Sequence, residues 1–334
     1  MIIMPYYFLF LSTLFMGSIM SISANHWIFV WMGLEINLLS FIPIMFSSMS
    51  NQETEASVKY FMTQALGSSF ILLSAFSITS MNLHLISPNM WTTMLFMGLM
   101  IKMGAAPFHF WLPQVMMSLS WYSCMILTTW QKLAPIFIML SISSFANSYF
   151  ITMIAMIGTM IGGIGGLNQS QLRPLLAYSS ISHLGWIMMG LSMSYSITFI
   201  YFMIYVFTTL PIMYMLNTLS KKSNSMLSIM TINPYLLSIL MILFMSLGGL
   251  PPFLGFFPKW SMIQIMSMNN LILPSLIMLA GSLMNLFYYL NIFFNLYINS
   301  TQNFMFSIQT PNYTTNLTAI LFTLSLMIFP WIML

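Results

Sequence analysis

Apolar residues run through this chain in stretches of about 20, recurring from end to end and parted by short polar interruptions instead of alternating with polar positions. A helix needs about 20 apolar residues to cross the hydrocarbon core of a bilayer, whereas a membrane strand needs only about 10 and alternates. The pattern therefore predicts an all-α integral membrane protein, one transmembrane domain over 1–334, in which each span satisfies its own backbone hydrogen bonds. Eleven spans are expected, at 3–22, 27–47, 56–80, 90–118, 121–145, 149–167, 172–192, 195–219, 234–268, 271–297 and 313–333. The first lacks the basic flank and small-residue cleavage site of a signal peptide and reads as a span.

The fourth and ninth spans are too long for a single crossing, and both are interrupted, at Gly104-Ala105-Ala106-Pro107 and Gly248-Gly249-Leu250-Pro251-Pro252. Proline removes a backbone donor and clashes with the preceding turn, so each is expected to divide into two half-helices. At a constant offset of 145 positions, Gly104, Pro107, Phe108 and Pro113 coincide with Gly249, Pro252, Phe253 and Pro258. Two equivalent spans five crossings apart run in opposite directions through the membrane. The expected architecture is thus that of secondary transporters: approximate inverted repeats over 1–145 and 149–297, each with a discontinuous helix, then a final helix at 313–333.

With 59% hydrophobic and 3% charged residues, the chain lacks the roughly one quarter of charged residues that a soluble domain carries. Seven basic and three acidic side chains give a net charge of +4, but they are scattered, which excludes nucleic acid as a partner. The single cysteine, Cys124, excludes internal disulfides and thiolate clusters and reads as packing. Four of the charges, Glu35, Lys102, Lys132 and Lys259, fall inside apolar spans. There an ionisable group costs about 2.5–3.5 kcal/mol or more, and it is by default a candidate for moving protons or ions.

The remaining charges read as interfacial anchors. Lys59, Arg173 and the pair Lys221 and Lys222 each follow an even-numbered span, so the positive-inside rule puts those loops and the N-terminus on the inner side. His109 and His183 are candidates for an accessory proton path, weighed against hydrogen-bonded packing; His26 and His84, at span ends, read as structural. Gly158, Gly162 and Gly166, spaced by four, read as a face for close helix approach instead of a phosphate loop, which needs a preceding strand and a water-exposed helix start. The abundant methionines and aromatics read as lipid-facing and packing residues, and nothing in the sequence builds a haem or metal site.

Four segments, 54–61, 102–109, 179–186 and 248–259, resemble the chain 2 family of NADH:ubiquinone oxidoreductase, the mitochondrially encoded antiporter-like subunits of respiratory complex I. The resemblance spans nearly the whole chain. Scarce arginine and 39 methionines look like an AT-rich animal mitochondrial gene, of arthropod type. The resemblance implies a membrane-arm subunit of the mitochondrial inner membrane whose bacterial relatives have fourteen helices, animal versions lacking the first three. It further implies that Glu35 is the acid modulating the first half-channel, Lys102 its partner, Lys132 the connecting lysine and Lys259 the terminal one. FMN, iron–sulfur clusters and ubiquinone are expected on other subunits, and no cofactor on this one. A second antiporter-like chain and a small glutamate-bearing chain are the implied neighbours, with accessory subunits and phospholipids around them.

A carboxylate about 7 Å from a buried ammonium, at an effective dielectric of about 20, is worth roughly 2.4 kcal/mol. That matches the roughly 2.3 kcal/mol for moving one charge through 100 mV, so a small movement of Glu35 would gate a proton on Lys102. Three function classes follow: a non-redox proton-translocating subunit of complex I, a free-standing cation/proton antiporter, and a structural membrane spacer. Very short loops favour the first, since such a chain depends on partners for coupling.

Overall fold

The computed structural model describes residues 5–46, 50–79, 88–143, 146–220, 234–251 and 253–303, and among these every regular element is a helix. The order is α1 (Pro5–Ser23), α2 (Trp27–Met45), α3 (Asn51–Thr79), α4 (Pro88–Met103), α5 (Trp111–Ser118), α6 (Trp121–Thr128), α7 (Trp130–Ile142), α8 (Ser148–Leu167), α9 (Leu172–Met193), α10 (Tyr195–Ser220), α11 (Pro234–Gly248), α12 (Phe256–Met268) and α13 (Ile272–Asn303). The expected span 313–333 and the residues Lys221, Lys222, His84 and Pro252 lie outside the described residues.

Among the described residues, five helices are long and apolar enough to cross a membrane alone: Trp27–Met45, Trp121–Ile142, Ser148–Leu167, Tyr195–Thr218 and Ile272–Asn295. Others fall short for physical reasons. The half-helices α4, α5, α11 and α12 do not span singly. In α9, residues 174–177 and 179–191 are buried within the bundle, so the helix carries serines and a histidine that no lipid-facing helix would. The α3 helix begins at Asn51, earlier than the expected position 56. The Ser50 hydroxyl accepts from the Glu53 N–H at 3.3 Å, capping a charged first turn that projects past the apolar stretch.

Both expected interruptions are present, and their backbones match. Gly104 follows α4 with φ +69° and Gly249 follows α11 with φ +79°, left-handed values that cost a residue with a Cβ about 1–2 kcal/mol. The Gly104 and Ala105 N–H groups donate to the Ile101 and Met100 carbonyls; 145 positions on, those of Gly249 and Leu250 donate to Ser246 and Met245. This is the Schellman ending of an α-helix, used twice. Even the restarts agree, since α5 opens at Trp111 and α12 at Phe256, the same offset apart. The fifth span holds a third interruption that the pattern did not signal, at Thr129, with φ −111° and ψ −68°. There the Thr128 and Thr129 hydroxyls donate to the carbonyls of Cys124 and Met125 four residues back, a habit that bends helices.

The glycine face on α8 works as expected. A Cβ at Gly162 would stand 2.6 Å from the Ser182 nitrogen of α9, and one at Gly281 of α13 would stand 2.7 Å from the Thr159 carbonyl of α8. Cys124 is fully buried, in keeping with packing.

The apolar interior is two slabs stacked along the helix axes. One holds Val30 and Leu34 of α2, Leu99 and Met103 of α4, Ala134 and Ile138 of α7, Leu184 and Ile187 of α9, and Met262 and Met266 of α12. The other holds Leu38 and Phe41 of α2, Leu112 of α5, Leu127 of α6, Leu175 and Ile181 of α9, and Leu243 and Leu254 around the second break. On each of these segments a polar residue singled out above stands at the boundary between slabs or within three residues of it.

Candidate functional site

Reading each helix at that boundary gives Glu35 between Leu34 and Leu38, the first break between Ala105 and Trp111 with Lys102 three residues before it, Lys132 between Leu127 and Ala134, His183 between Ile181 and Leu184, and Lys259 between Leu254 and Met262. The charged residues therefore occupy one level across the bundle, the seam where the two apolar slabs meet. Lys102 and Lys259 are each 7% exposed and Lys132 is 1% exposed, so all three ammonium groups are withdrawn from lipid and aqueous surface alike.

The Lys102 Nζ lies 3.8 Å from the Glu35 Oε2, the lysine side chain 4% and the glutamate 27% exposed. The separation is shorter than the roughly 7 Å expected above and raises the interaction to about 4 kcal/mol at an effective dielectric of about 20, before the cost of desolvation. Neither atom has a hydrogen-bond partner within the chain, so the pair attracts without being locked. Around it, the Gln64 side chain donates to the Lys102 carbonyl at 3.2 Å and the Trp111 indole to the Ile101 carbonyl at 3.1 Å, pinning the end of α4.

Lys132 and His183 meet through α10. The Lys132 Nζ donates to the Tyr205 hydroxyl at 3.4 Å and lies 5.2 Å from the centre of that ring. The Tyr205 ring stands 5.3 Å from the His183 imidazole, whose Nδ1 hydrogen-bonds the Tyr201 hydroxyl at 3.0 Å. A small cavity of about 10 Å³, the scale of one water molecule, is lined by His183, Tyr201, Tyr205, Thr208, Ser246, Gly255 and Pro258. It leads from this cluster to the second break. There the Lys259 Nζ donates to the Gly248 carbonyl at 2.8 Å. Lys102 in the last turn of α4 and Lys259 folded back onto the end of α11 thus both place positive charge where a half-helix presents its negative dipole end.

Of the six residues expected from the sequence, the structure joins Glu35 to Lys102, and Lys132, through Tyr205, to His183; the cavity continues from there toward Lys259. Lys102 and Lys132 share the seam on the packed helices α4 and α7, with no direct hydrogen bond between them. His109 stands apart. The helix is interrupted before it, and its Nδ1 bonds the Pro107 carbonyl at 3.2 Å inside the break. His26, exposed at the N-terminus of α2, makes no side-chain capping hydrogen bond, and its ring lies 6.3 Å from that of Phe29. Tyr201 and Tyr205 escaped the sequence reading, although two tyrosines four residues apart in mid-span were a usable signal, since a buried phenol needs a partner. Among the described residues, no group of three or more His, Cys, Asp or Glu lies together as a metal site would require.

Comparison with known proteins bears on this arrangement. A family model described as NADH:quinone oxidoreductase/Mrp antiporter, TM, matches residues 24–287, an interval that contains the whole row from Glu35 to Lys259. NADH-ubiquinone oxidoreductase chain 2 of Lumbricus terrestris is 46% identical over 287 residues, 84% of each chain. That of Mammuthus primigenius is 38% identical over 337 residues, covering 96% of this chain and 95% of the relative. A chain of respiratory complex I from Thermus thermophilus, 22% identical, has the same fold with a TM-score of 0.80 over 97% of this chain and 77% of that one. By sequence along nearly its full length and by an antiporter-like membrane fold, the chain belongs to the NADH-ubiquinone oxidoreductase chain 2 family.

Proposed function

We propose that this chain is a proton-translocating, non-redox subunit of the membrane arm of respiratory complex I in the mitochondrial inner membrane. NADH oxidation and ubiquinone reduction occur on other subunits, and protons pass through this one along Glu35, Lys102, Lys132 and Lys259. The observation that carries the reading is the buried row itself: three ammonium groups at one level, in a seam between two apolar slabs, with a carboxylate 3.8 Å from the first. A structural spacer has no use for charges that cost several kcal/mol each to bury.

In this reading Glu35 approaches or leaves Lys102 and thereby sets whether that lysine keeps its proton. A released proton crosses to Lys132 and passes by way of Tyr205, His183 and the cavity to Lys259, each group returning to its starting state as the next takes the charge. Eleven crossings, inverted repeats over 1–145 and 149–297 and a matrix-side N-terminus belong to the same proposal; the two matched Schellman breaks, 145 positions apart, support the repeat. The 27% exposure of Glu35 fits a carboxylate that faces a neighbouring membrane-arm chain.

Lys259→Met in the assembled complex tests the reading. Proton-to-electron stoichiometry in vesicles is expected to fall while NADH:ubiquinone turnover persists. An unchanged ratio in a normally assembled complex removes Lys259 from the path.

A further inference from the structure

The proton row is not the whole polar content of the interior. On α13, Tyr288 and Tyr289 are buried in the slab that also holds Leu175, Leu240 and Leu243, with their rings 4.6 Å apart. Neither hydroxyl, nor the Oδ1 of the buried Asn285 one turn away, has a hydrogen-bond partner within the chain, although the Asn285 Nδ2 donates to the Ser182 hydroxyl. A hydroxyl buried without a partner destabilises the fold, and a phenylalanine would fill the same volume without that cost.

The placement of these groups is directional. The α9 helix starts beside Arg173, so Ser179 lies about 10 Å and His183 about 16 Å from that end, the latter at mid-helix. The α13 helix runs alongside α8, Gly281 facing Gly163 and Tyr288 facing Gly166, where a Cβ would stand 2.6 Å from the tyrosine ring. Gly166 is followed by Leu167, the last residue of α8, and then by exposed Asn168, Ser170 and Gln171 on the Arg173 face. Tyr288 is therefore level with that face and Tyr289 points the row inward. Ser179 donates to the Leu176 carbonyl, which leaves its oxygen free to accept; it lies one turn from Ser182, which Asn285 reaches, and because α9 and α13 run antiparallel it is level with the turn of α13 that carries Tyr288. The Tyr289 ring in turn stacks on Phe244 of α11, centroids 5.7 Å apart, and lies beside Gly248, whose carbonyl accepts from Lys259.

Resting on the proton-translocating reading of the central row, we infer that Tyr288, Ser179 and Tyr289 form a hydroxyl ladder, bridged by water, that carries protons between the Arg173 face and the Tyr205–His183 cluster. Each hydroxyl accepts a proton on oxygen from one neighbour and donates its own to the next, so that one proton enters and one leaves with no net charge left behind. The unpaired phenols and the Asn285 carbonyl supply the partners that ordered water needs inside an apolar slab.

The test compares Tyr288→Phe/Tyr289→Phe with Lys259→Met, each in the fully assembled complex in vesicles, reading proton-to-electron stoichiometry. Phenylalanine keeps the ring packing and removes only the hydroxyls. The ladder predicts a ratio lowered to the value that Lys259→Met gives. An unchanged ratio in the tyrosine variant beside a lowered one in Lys259→Met overturns the ladder and leaves the central row standing; an unchanged ratio in both overturns both. Should the double variant fail to assemble, Ser179→Ala decides the same question with a smaller change in volume, by the same two outcomes.

Discussion

Replacing Glu35 by glutamine removes one charge from a pair 3.8 Å apart while keeping shape and volume. Because the glutamate is 27% exposed, an effective dielectric near 20 is the appropriate choice for the pair, giving about 4 kcal/mol of attraction. Opening the pair to about 7 Å would leave about 2.4 kcal/mol. The difference, about 2 kcal/mol, is roughly a thirtyfold change in the occupancy of a proton for a movement of about 3 Å. Full removal of the charge is worth about a thousandfold on the same scale, more than the roughly 2.3 kcal/mol that 100 mV supplies per charge. The expected result for Glu35→Gln is normal assembly, continued ubiquinone reduction and a lowered proton-to-electron ratio in sealed vesicles. A double-mutant cycle isolates the cause: if the carboxylate acts through Lys102, adding Glu35→Gln to Lys102→Met changes nothing further. A normal ratio in Glu35→Gln, or effects of the two substitutions that simply add, refutes the reasoning.

Three further outcomes follow from the geometry. Gly249→Ala puts a Cβ 2.9 Å from the Lys259 Nζ at φ +79°; about 1–2 kcal/mol of destabilisation at the break is expected, with a lowered proton-to-electron ratio as the readout, whereas Gly248→Ala, whose Cβ meets nothing closer than 3.6 Å, serves as control. Gly162→Leu would drive α8 from α9, since even a Cβ stands 2.6 Å from the Ser182 nitrogen, and loss of assembled complex on native gels is expected. At the surface, the Lys59 ammonium lies 2.6 Å from the Glu55 carboxylate and holds that carboxyl below its usual range. The pair's contribution is present at neutral pH and fades as pH falls through that lowered range, so Lys59→Ala is expected to let Glu55 titrate normally, followed by infrared spectroscopy, and to leave proton pumping unchanged.

Much of this molecule is legible without coordinates because a bilayer leaves few choices. Runs of about 20 apolar residues must be helices, glycine beside proline must interrupt them, and a charge in such a run must be sheltered by protein. Glu35, Lys102, Lys132 and Lys259 stand out for that reason, and α1, α2, α8 and α10 begin and end within a few residues of their expected positions. The interruption at Thr129 was not legible, because threonine back-bonding is a matter of rotamer and of what surrounds the bend. His109 and Lys102 are seven positions apart, yet only the break between them decides that they do not share a face.

What the sequence alone determined was the solvent, the element type and which side chains are too costly to be idle. Tertiary structure decided that these side chains lie at one level, that Tyr205 and His183 stand between two of the lysines, and that Glu35 is close enough to Lys102 to matter. The reason is one of range. Hydrophobic periodicity and backbone chemistry act between residues a turn apart, whereas a 3.8 Å contact between residues 35 and 102 is set by how helices far apart in sequence pack.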